Sequence, residues 1–363
     1  MELDQEELQI KSEQLKEQKI KQIKDKFNIC LKVFELPKEI ENIILDYYFN
    51  ESTIETNYSL KAKVNEYYDT KNEHLISELD VSCVTSMNYL FSWYEKFNQP
   101  LDKWDTSNVV DMSFMFDCCY VFNQPLKFDT KNVIDMRDMF CGCKQFNKPI
   151  DFDTSKVNNM GNMFYCCAQF NQPVKFNTSN VINMECMFDR CYEFNQPVNF
   201  NTSKVTDIKR MFYYCKKFNQ LVNFDTSKVT NMSYMFYYCE QFNKPVNFDT
   251  SEVTNMSYMF CGCKQFNNLV NFNTSKVTNM QFMFCECKQF DKPVNFDTSK
   301  VTNMQYMFCG CEQFNQLVNF DVENVTLKYA MFTGCSSLKI KNIMLTKSNK
   351  TNKIKQIKQT KEK

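Results

Sequence analysis

The sequence has little of the residues from which most enzyme sites are built. His74 is the one histidine among 363 residues, which excludes any two-histidine zinc site and leaves little for Ser-His-Asp or Cys-His catalysis. Five glycines occur, and no two lie close enough to form a phosphate-binding loop of the Walker or dinucleotide type. We therefore expect no enzyme activity, no catalytic residue and no cofactor.

The chain also lacks a charge excess and any long apolar run. Lys plus Arg and Asp plus Glu both number 43, so the overall charge does not favour nucleic acid or an acidic membrane as a partner. No apolar stretch approaches the roughly 18 residues of a membrane span. The charged N-terminus has no apolar core of the kind that a signal peptide needs. We expect a cytoplasmic protein without a membrane partner.

What the sequence has in abundance is a 24-residue repeat. The motif Phe97-Asn98-Gln99-Pro100 recurs so that ten units begin with phenylalanine, the first spacing being 25 residues and the others 24. We number the positions of each repeat from 1, at this phenylalanine, to 24. The ten starts are Phe97, Phe122, Phe146, Phe170, Phe194, Phe218, Phe242, Phe266, Phe290 and Phe314. A partial unit precedes them, and because one unit cannot bury its own apolar side chains, neighbouring units must stack.

The repeats have apolar residues at positions 1, 5, 7, 12, 15, 18, 19 and 22, except for Lys328 at position 15 of the last one. In the repeat that opens at Phe218, Val222 and Phe224 flank a polar residue, which is the alternation of a short half-buried strand. Positions 15, 18, 19 and 22 have the spacing of one helical face. The short polar side chains of Asp225, Thr226 and Ser227 predict a turn between the two segments.

Position 2 is asparagine in nine repeats and Asp291 in the tenth. Such a column can form hydrogen bonds from one repeat to the next, which would satisfy backbone groups in the turns.

These patterns predict an α/β fold. We expect a right-handed, leucine-rich-repeat-like solenoid with a parallel sheet on one face and short helical segments on the other, preceded by a small helical N-terminal region. Residues 1–30 are predicted as a charged and loosely attached helix, and 31–72 as a helical segment. Residues 73–340 form the repeat array, and 341–363 are predicted as a basic disordered tail.

The repeat pattern PxNFDTSxVTNMxxMFxxC resembles that of the BspA-like leucine-rich-repeat family. The last unit, from Ala330 to Leu338, is similar to the AFxGCxxL signature of treponemal-type repeats. The resemblance covers the whole array and implies a solenoid that binds macromolecules. Many members of that family are bacterial surface proteins with a secretion signal or a lipid anchor, and this sequence shows neither.

Position 6 is the point at which side chains leave the core on the predicted sheet face. Solenoids commonly bind their partners on such an extended surface, and we expect a protein partner there. The predicted partner-binding residues are Lys127, Asp151, Lys175, Asn199, Asn223, Asn247, Asn271, Asn295 and Asn319. The alternative is that this row of amides only ties neighbouring strands together.

Ten of the nineteen cysteines occupy position 22, from Cys119 to Cys335, and others form Cys-x-Cys pairs such as Cys141 and Cys143. We interpret the position-22 cysteines as small buried apolar side chains beside methionine and phenylalanine. The CxxC spacing of zinc knuckles is absent, so no metal site is predicted. A metal or redox role is the alternative.

The segment 34–48 resembles the opening LPxEIxxxIL helix of an F-box, the short domain that docks on the Skp1-type adaptor of a ubiquitin ligase. The matching residues, which would bind the adaptor, are Leu36, Pro37, Ile40, Ile43, Ile44 and Leu45. The alternative is an amphipathic helix that covers the open first repeat of the array. The polar stretch 50–57 does not fit the remainder of an F-box.

The sequence as a whole indicates a non-enzymatic protein–protein interaction module. With an F-box-like helix, the array would act as the substrate receptor of a ubiquitin ligase, a combination that resembles proteins of protists and of the large DNA viruses that infect them. In the viral case the protein would lie in the host cytoplasm. The alternative function is that of a structural or adhesive surface repeat protein.

Overall fold

The computed structural model describes residues 57–346, and regular secondary structure is sparse within them. One α-helix, α1, spans Asn57–Asp69, and two short 3-10 helices span Glu73–Glu78 and Ile340–Asn342. Two strands, β1 at Val318–Asp321 and β2 at Ile343–Thr346, form a parallel pair. Within this part of the chain, no helix is both long enough and apolar enough to cross a membrane.

Successive repeats lie in register through short parallel contacts. Position 14 forms an unbroken series of parallel bridges from Ser86 to Leu327, and position 5 forms a shorter series from Val198 to Val246. Between residues 57 and 346, β1 and β2 are the one stretch of regular sheet. The predicted parallel sheet is therefore present as this small sheet and as isolated bridges, and not as continuous strands along the array.

The predicted helical segments at positions 15 to 22 are instead runs of tight turns. In the repeat that opens at Phe218, the N–H groups at positions 18, 20 and 22 donate to the carbonyl three residues back. Those at positions 15, 17, 19 and 21 donate to the following repeat, as from Phe236 to the Met259 carbonyl at 2.9 Å. Tyr234 and Tyr238 have φ values of 59° and 54°. Because these two left-handed residues interrupt the right-handed conformation, no helix can form.

The left-handed conformation recurs at positions 17 and 21 of the other repeats. Glycine occupies position 21 in four of them, with φ between 72° and 78°. The other repeats place cysteine, arginine, tyrosine or glutamate there, and the preceding partial unit has Trp93. A side chain in this region costs roughly 1–2 kcal/mol. The strain must therefore be offset by the contacts between repeats. The four glycines are Gly142, Gly262, Gly310 and Gly334.

The core consists of aromatic columns that run along the array. The rings of Phe218 and Phe242, both at position 1, lie 6.0 Å apart. Those of Phe236 and Phe260, both at position 19, lie 5.6 Å apart, and the Phe236 and Phe242 rings approach to 4.3 Å. All eight apolar positions predicted from the sequence are buried in the repeat that opens at Phe218, which confirms the assignment of the core.

A ladder of amide groups joins the repeats at position 2. The Asn219 Oδ1 atom accepts the backbone N–H of Asn243 at 3.0 Å, and the same bond joins each successive pair from Asn98 to Lys339. The prediction of bonding between repeats at this column is confirmed. Each amide satisfies a backbone donor that the turn would otherwise leave without a partner.

The predicted turn at positions 8 to 10 is also confirmed. Asp225 Oδ1 accepts the N–H of Ser227 at 3.1 Å, which is the local bond that short polar side chains form in turns. The hydroxyl of the buried Thr226 donates to the Asp249 carbonyl of the next repeat at 2.8 Å. The turn is therefore closed within one repeat and fastened to its neighbour.

Helix α1 covers the first repeat. Its Leu60 and Val64 side chains are completely buried, and the Lys61 Nζ atom donates to the carbonyls of Tyr89 and Leu90 at 2.9 and 2.7 Å. The cap that a stacked array needs is thus formed by the end of the segment 31–72. The alternative cap that the sequence suggests, at 34–48, lies outside the described residues.

Strand β2 covers the opposite end of the array. It pairs with β1 so that Val318 lies opposite Ile343, and the Asn342 side chain donates to the Asn315 carbonyl at 2.8 Å. Residues 341–346, which the sequence pattern assigns to the basic tail, lie in this strand and in the short helix before it. The ordered array continues to Thr346, because the last repeat requires a partner for its backbone groups.

Candidate interaction surfaces

The nine residues predicted to bind a partner form one exposed row. Position 6 lies between two buried positions, as Asn223 lies between Val222 and Phe224, which are 2% and 5% exposed. The side chain of position 6 is therefore left on the solvent side of the array. The members of this row, all exposed, are Lys127, Asp151, Lys175, Asn199, Asn223, Asn247, Asn271, Asn295 and Asn319.

The side chains of this row do not form a ladder. In residues 57–346, no hydrogen bond or ion pair joins one position-6 side chain to the next. The alternative interpretation, in which these amides tie the strands together, is therefore wrong, because position 2 performs that role through Asn219 and its counterparts. The polar groups of position 6 face solvent without a structural partner.

An apolar ridge accompanies the row at position 4. Leu221, Leu269 and Leu317 are each about half exposed, and prolines occupy the same position in the repeats between them. Near the end of the array, a shallow depression of about 480 Å³ is lined by Pro293, Val294, Asn295, Gln316, Leu317 and Asn319. Row and ridge together form a mixed amide and aliphatic surface, which we call the row face.

A second surface is formed by positions 16, 17, 20 and 21, and we call it the turn face. Its middle carries a group of half-buried tyrosines, the tyrosine cluster: Tyr213, Tyr214, Tyr234, Tyr237, Tyr238 and Tyr258. Stacked pairs join successive repeats, with ring centroids 4.6 Å apart for Tyr213 and Tyr237 and 4.5 Å apart for Tyr234 and Tyr258. Sequence reasoning missed this cluster, although the recurrence of tyrosine at the same positions in successive repeats could have indicated it.

Two arginines adjoin the tyrosine cluster, and we call Arg190 and Arg210 the arginine pair. Both approach the fully buried Asp189 carboxylate: the Arg210 Nε atom donates to Oδ2 at 2.7 Å, and the Arg190 Nη1 atom lies 3.8 Å from Oδ1. Arg210 also lies 4.0 Å above the ring of Tyr213, and Arg190 donates to the hydroxyl of Tyr165. The guanidinium groups are therefore held in place on the turn face.

Asp189 is incompletely satisfied. Its Oδ1 atom is buried and has no hydrogen-bond partner. Burial raises the pKa of this carboxyl group to about 6, although the neighbouring Arg210 acts in the opposite direction. Burial disfavours the charged form of a carboxyl group, so protonation of Asp189 in mild acid relieves this cost.

The cysteines at position 22 are buried in every repeat, as predicted. The Sγ atom of Cys239 donates to the Phe212 carbonyl of the preceding repeat at 2.9 Å, and the other nine form the same bond. Burial raises the pKa of the Cys239 thiol well above its ordinary value. These side chains are thus protonated and fill the core.

No metal-binding group is evident in the part of the chain that the structure describes. Between residues 57 and 346, no set of three or more His, Cys, Asp or Glu side chains is arranged to hold a metal ion. His74 is exposed in the short helix Glu73–Glu78. The predicted adaptor-binding residues Leu36, Pro37, Ile40, Ile43, Ile44 and Leu45 lie outside the described residues, and their role stays a prediction.

Comparison with known proteins supports the repeat assignment. A family model described as "Mycoplasma protein of unknown function, DUF285" matches the chain in overlapping stretches that run without a gap through more than half of it: residues 63–151, 126–222, 150–247, 198–270, 220–295 and 268–362. The match confirms BspA-like repeats and does not include the F-box-like segment. No curated protein and no solved structure matches the chain.

Proposed function

We propose that this chain, which belongs to the DUF285 family, is a non-enzymatic protein–protein interaction module. Its repeats would form a right-handed, leucine-rich-repeat-like solenoid. The observation that supports this proposal is the in-register stacking of the repeats along the position-14 bridges. Stacking of this kind repeats each surface position at every step, and thereby forms long surfaces of fixed shape that suit the binding of another macromolecule.

The row face is the first candidate for the partner site. Its amides have no partner within the array, and the half-exposed Leu221, Leu269 and Leu317 lie beside them. An interface of aliphatic contacts with a polar border has this composition. We propose a protein partner, and neither nucleic acid nor a membrane, because the row carries charges of both signs, at Lys127, Asp151 and Lys175, and is otherwise made of uncharged amides.

Variants of the row test this proposal. Replacing Asn223, Asn247 and Asn271 by glutamate places three charges on the row face of the tagged full-length chain. The wild type should retain at least one protein from a cytoplasmic lysate in a stoichiometric amount. The variant should lose that protein. The retained proteins would be identified by mass spectrometry after cross-linking, and thermal unfolding would show that the variant is folded.

The matched control changes exposed residues of the same three repeats away from the row face. Thr230, Thr254 and Thr278 are exposed at position 13, and their replacement by glutamate adds the same charge. The control should retain the partner. Identical sets of retained proteins for both variants and the wild type would contradict binding by the row, and a folded wild type without any stoichiometric partner would contradict the interaction function.

The finer proposal is that the N-terminal segment docks on a Skp1-type adaptor and that the protein acts in the cytoplasm. The support is the sequence match at Leu36, Pro37 and Ile40. Affinity purification of the full-length chain and of a variant without residues 34–48 tests it. Recovery of the adaptor with the full-length chain alone would support a ligase receptor, and its absence from both samples would contradict that role.

A structural role is the second candidate function. It is favoured by the continuity of the core, since the stacked rings at positions 1 and 19 extend from Phe91 to Phe332 whatever the surface carries. Deleting the two repeats 194–241 keeps the register and shortens the array. If the chain is a spacer, the distance that it spans should fall in proportion to the number of repeats removed. If it is an interaction module, the shortened chain should lose the partner contacts made by those repeats.

A further inference from the structure

Arginine is confined to one surface of this protein. The chain contains three arginines, and Arg137, Arg190 and Arg210 occupy positions 16, 21 and 17, all on the turn face. Lysine supplies the remaining positive charge of the chain. The guanidinium group differs from the lysine ammonium because its planar fork binds a carboxylate through two parallel hydrogen bonds. The arginine pair therefore brings a specific chemistry to the turn face.

The arginine pair is ordered before any partner arrives. Asp189 holds the Nε atom of Arg210, and the ring of Tyr213 supports the plane of that guanidinium group. In the described part of the chain, the two terminal nitrogens of Arg210 form no hydrogen bond. The side chains of Arg190 and Arg210 are 34% and 26% exposed. A carboxylate that reaches them finds donors whose conformational entropy has already been lost.

The tyrosine cluster extends this donor surface. Because Tyr213 stacks on Tyr237 and Tyr234 stacks on Tyr258, at interplanar angles of 10° and 8°, the ring faces between them are covered. A ligand would therefore contact ring edges and hydroxyl groups and not these inner faces. Aromatic edges carry partial positive charge, and the tyrosine hydroxyls, which are protonated at neutral pH, can donate hydrogen bonds.

The same geometry argues against nucleic acid as the ligand. Binding of single strands relies on bases that stack on exposed ring faces, and the inner faces of this cluster are occupied by neighbouring tyrosines. The charge is also local, since Glu185 pairs with Lys209 at 3.1 Å and Asp189 lies between the arginines. A long polyanion would gain little here, whereas a short segment with a few carboxylates could use the free donors.

We propose that the arginine pair and the tyrosine cluster bind an acidic peptide segment of a partner protein. This inference rests on the interaction function proposed above and assigns it a second surface. That surface carries arginine and tyrosine, whereas the row face carries amides and aliphatic side chains. One carboxylate would bind the free terminal nitrogens of Arg210, a second would bind Arg190, and the remainder of the segment would lie across the edges and hydroxyls of the tyrosines.

Fluorescence anisotropy with two labelled peptides tests the proposal on the full-length chain. The probe is the peptide Gly-Glu-Glu-Gly-Glu-Glu-Gly, and the reference replaces each glutamate by glutamine. We expect the Kd for the glutamate peptide to be at least tenfold lower at low ionic strength. The double variant Arg190→Lys with Arg210→Lys keeps both charges but removes the planar fork, and it should raise the Kd at least tenfold.

The matched control is Lys204→Ala, which removes a positive charge at the exposed position 11 of the repeat that contains Arg210. It should change the Kd by less than twofold. Equal affinity for the two peptides, or no effect of the arginine variant, would overturn the proposal, as would tighter binding of an oligothymidine strand. If the chain does not bind the glutamate peptide while the triple glutamate variant of Asn223, Asn247 and Asn271 still loses lysate proteins, this inference is contradicted and the proposed interaction function is retained.

Discussion

Positions 21 and 22 are neighbours in every repeat and follow opposite rules. Position 22 is cysteine in all ten repeats, is buried, and is bonded to the preceding repeat. Position 21 is glycine, cysteine, arginine, tyrosine or glutamate, and its one shared property is a positive φ. Position 22 must fill a fixed volume between two repeats, whereas position 21 must satisfy only the backbone. The amino acid therefore varies at position 21, where stacking constrains the main chain but not the side chain.

Truncating a core column should have the largest effect on stability. Phe236→Ala removes a fully buried ring that lies between Phe212 and Phe260, and it should lower the free energy of unfolding by about 3–5 kcal/mol. The row-face variant Asn223→Ala should change it by less than about 0.5 kcal/mol. Chemical denaturation of both variants provides the measurement. Equal stabilities would show that the inward columns are assigned incorrectly.

Adjacent cysteines allow positions 21 and 22 to be compared directly. Cys118 and Cys166, at position 21, are partly exposed, and their neighbours Cys119 and Cys167 are buried. We expect the position-21 thiols to react with an alkylating reagent on the order of 100 times faster, because only unfolding exposes position 22. Mass spectrometry of timed samples would give the rates. Similar rates within each pair would contradict the burial of position 22.

Adding a side chain to a glycine at position 21 should have an intermediate effect. Gly262 has φ of +78°, and a Cβ atom there would lie 2.7 Å from the ring of Tyr238. Gly262→Ala should therefore lower the unfolding free energy by about 1–3 kcal/mol. The reverse change, Glu286→Gly, removes a side chain from φ of 60° and should be neutral or stabilising. Thermal unfolding that ranks the two variants the other way would refute strain at this position.

The smallest effect concerns pH, and it separates two groups of aspartates. The pKa of Asp189 is raised to about 6 by burial, so the folded state binds a proton more readily than the unfolded chain. Stability should thus rise, on the order of 1 kcal/mol, as the pH falls from 7 towards 4. Hydrogen bonds to Ser227 lower the pKa of Asp225, and the stability contributed by this carboxylate is present above pH 4 and lost below it.

Unfolding measured across this pH range tests both signs. The variant Asp189→Asn should lose part of the slope between pH 4 and pH 7, because its amide does not titrate. Asp138, whose pKa burial also raises to about 6, should account for part of the remainder. If the slope of the Asp189→Asn variant equals that of the wild type, the folded and unfolded states bind this proton equally.

Much of the core could be predicted from the sequence, because burial and repetition leave a simple pattern. The inward columns, the asparagine ladder at position 2 and the turn at Asp225 each follow from one repeat compared with the next. The helical segments could not be distinguished from turns, since consecutive tight turns also place apolar side chains three and four residues apart. The glycines at position 21, such as Gly262, indicated a positive φ at that position. The spacing of the apolar residues alone did not.

The surfaces were less predictable than the core. Exposure of position 6 followed from the alternation of Val222 and Phe224, but the tyrosine cluster depends on the turns at positions 17 and 21. The role of helix α1 as the cap could not be assigned from the sequence, because whether a helix covers the first repeat depends on contacts such as that of Lys61 with Tyr89. Contacts of this kind are distant in sequence and leave no local pattern.

The asparagine ladder gives the array a direction. At every step the amide oxygen belongs to the earlier repeat and the N–H group to the later one. As in a polar filament, further repeats can therefore be added head to tail, whereas two stacks cannot be joined head to head. Lys61 of helix α1 occupies the carbonyls at the leading end, and β2 covers the trailing end. The two ends thus act as terminators, which limit by geometry the growth of an otherwise open-ended stack.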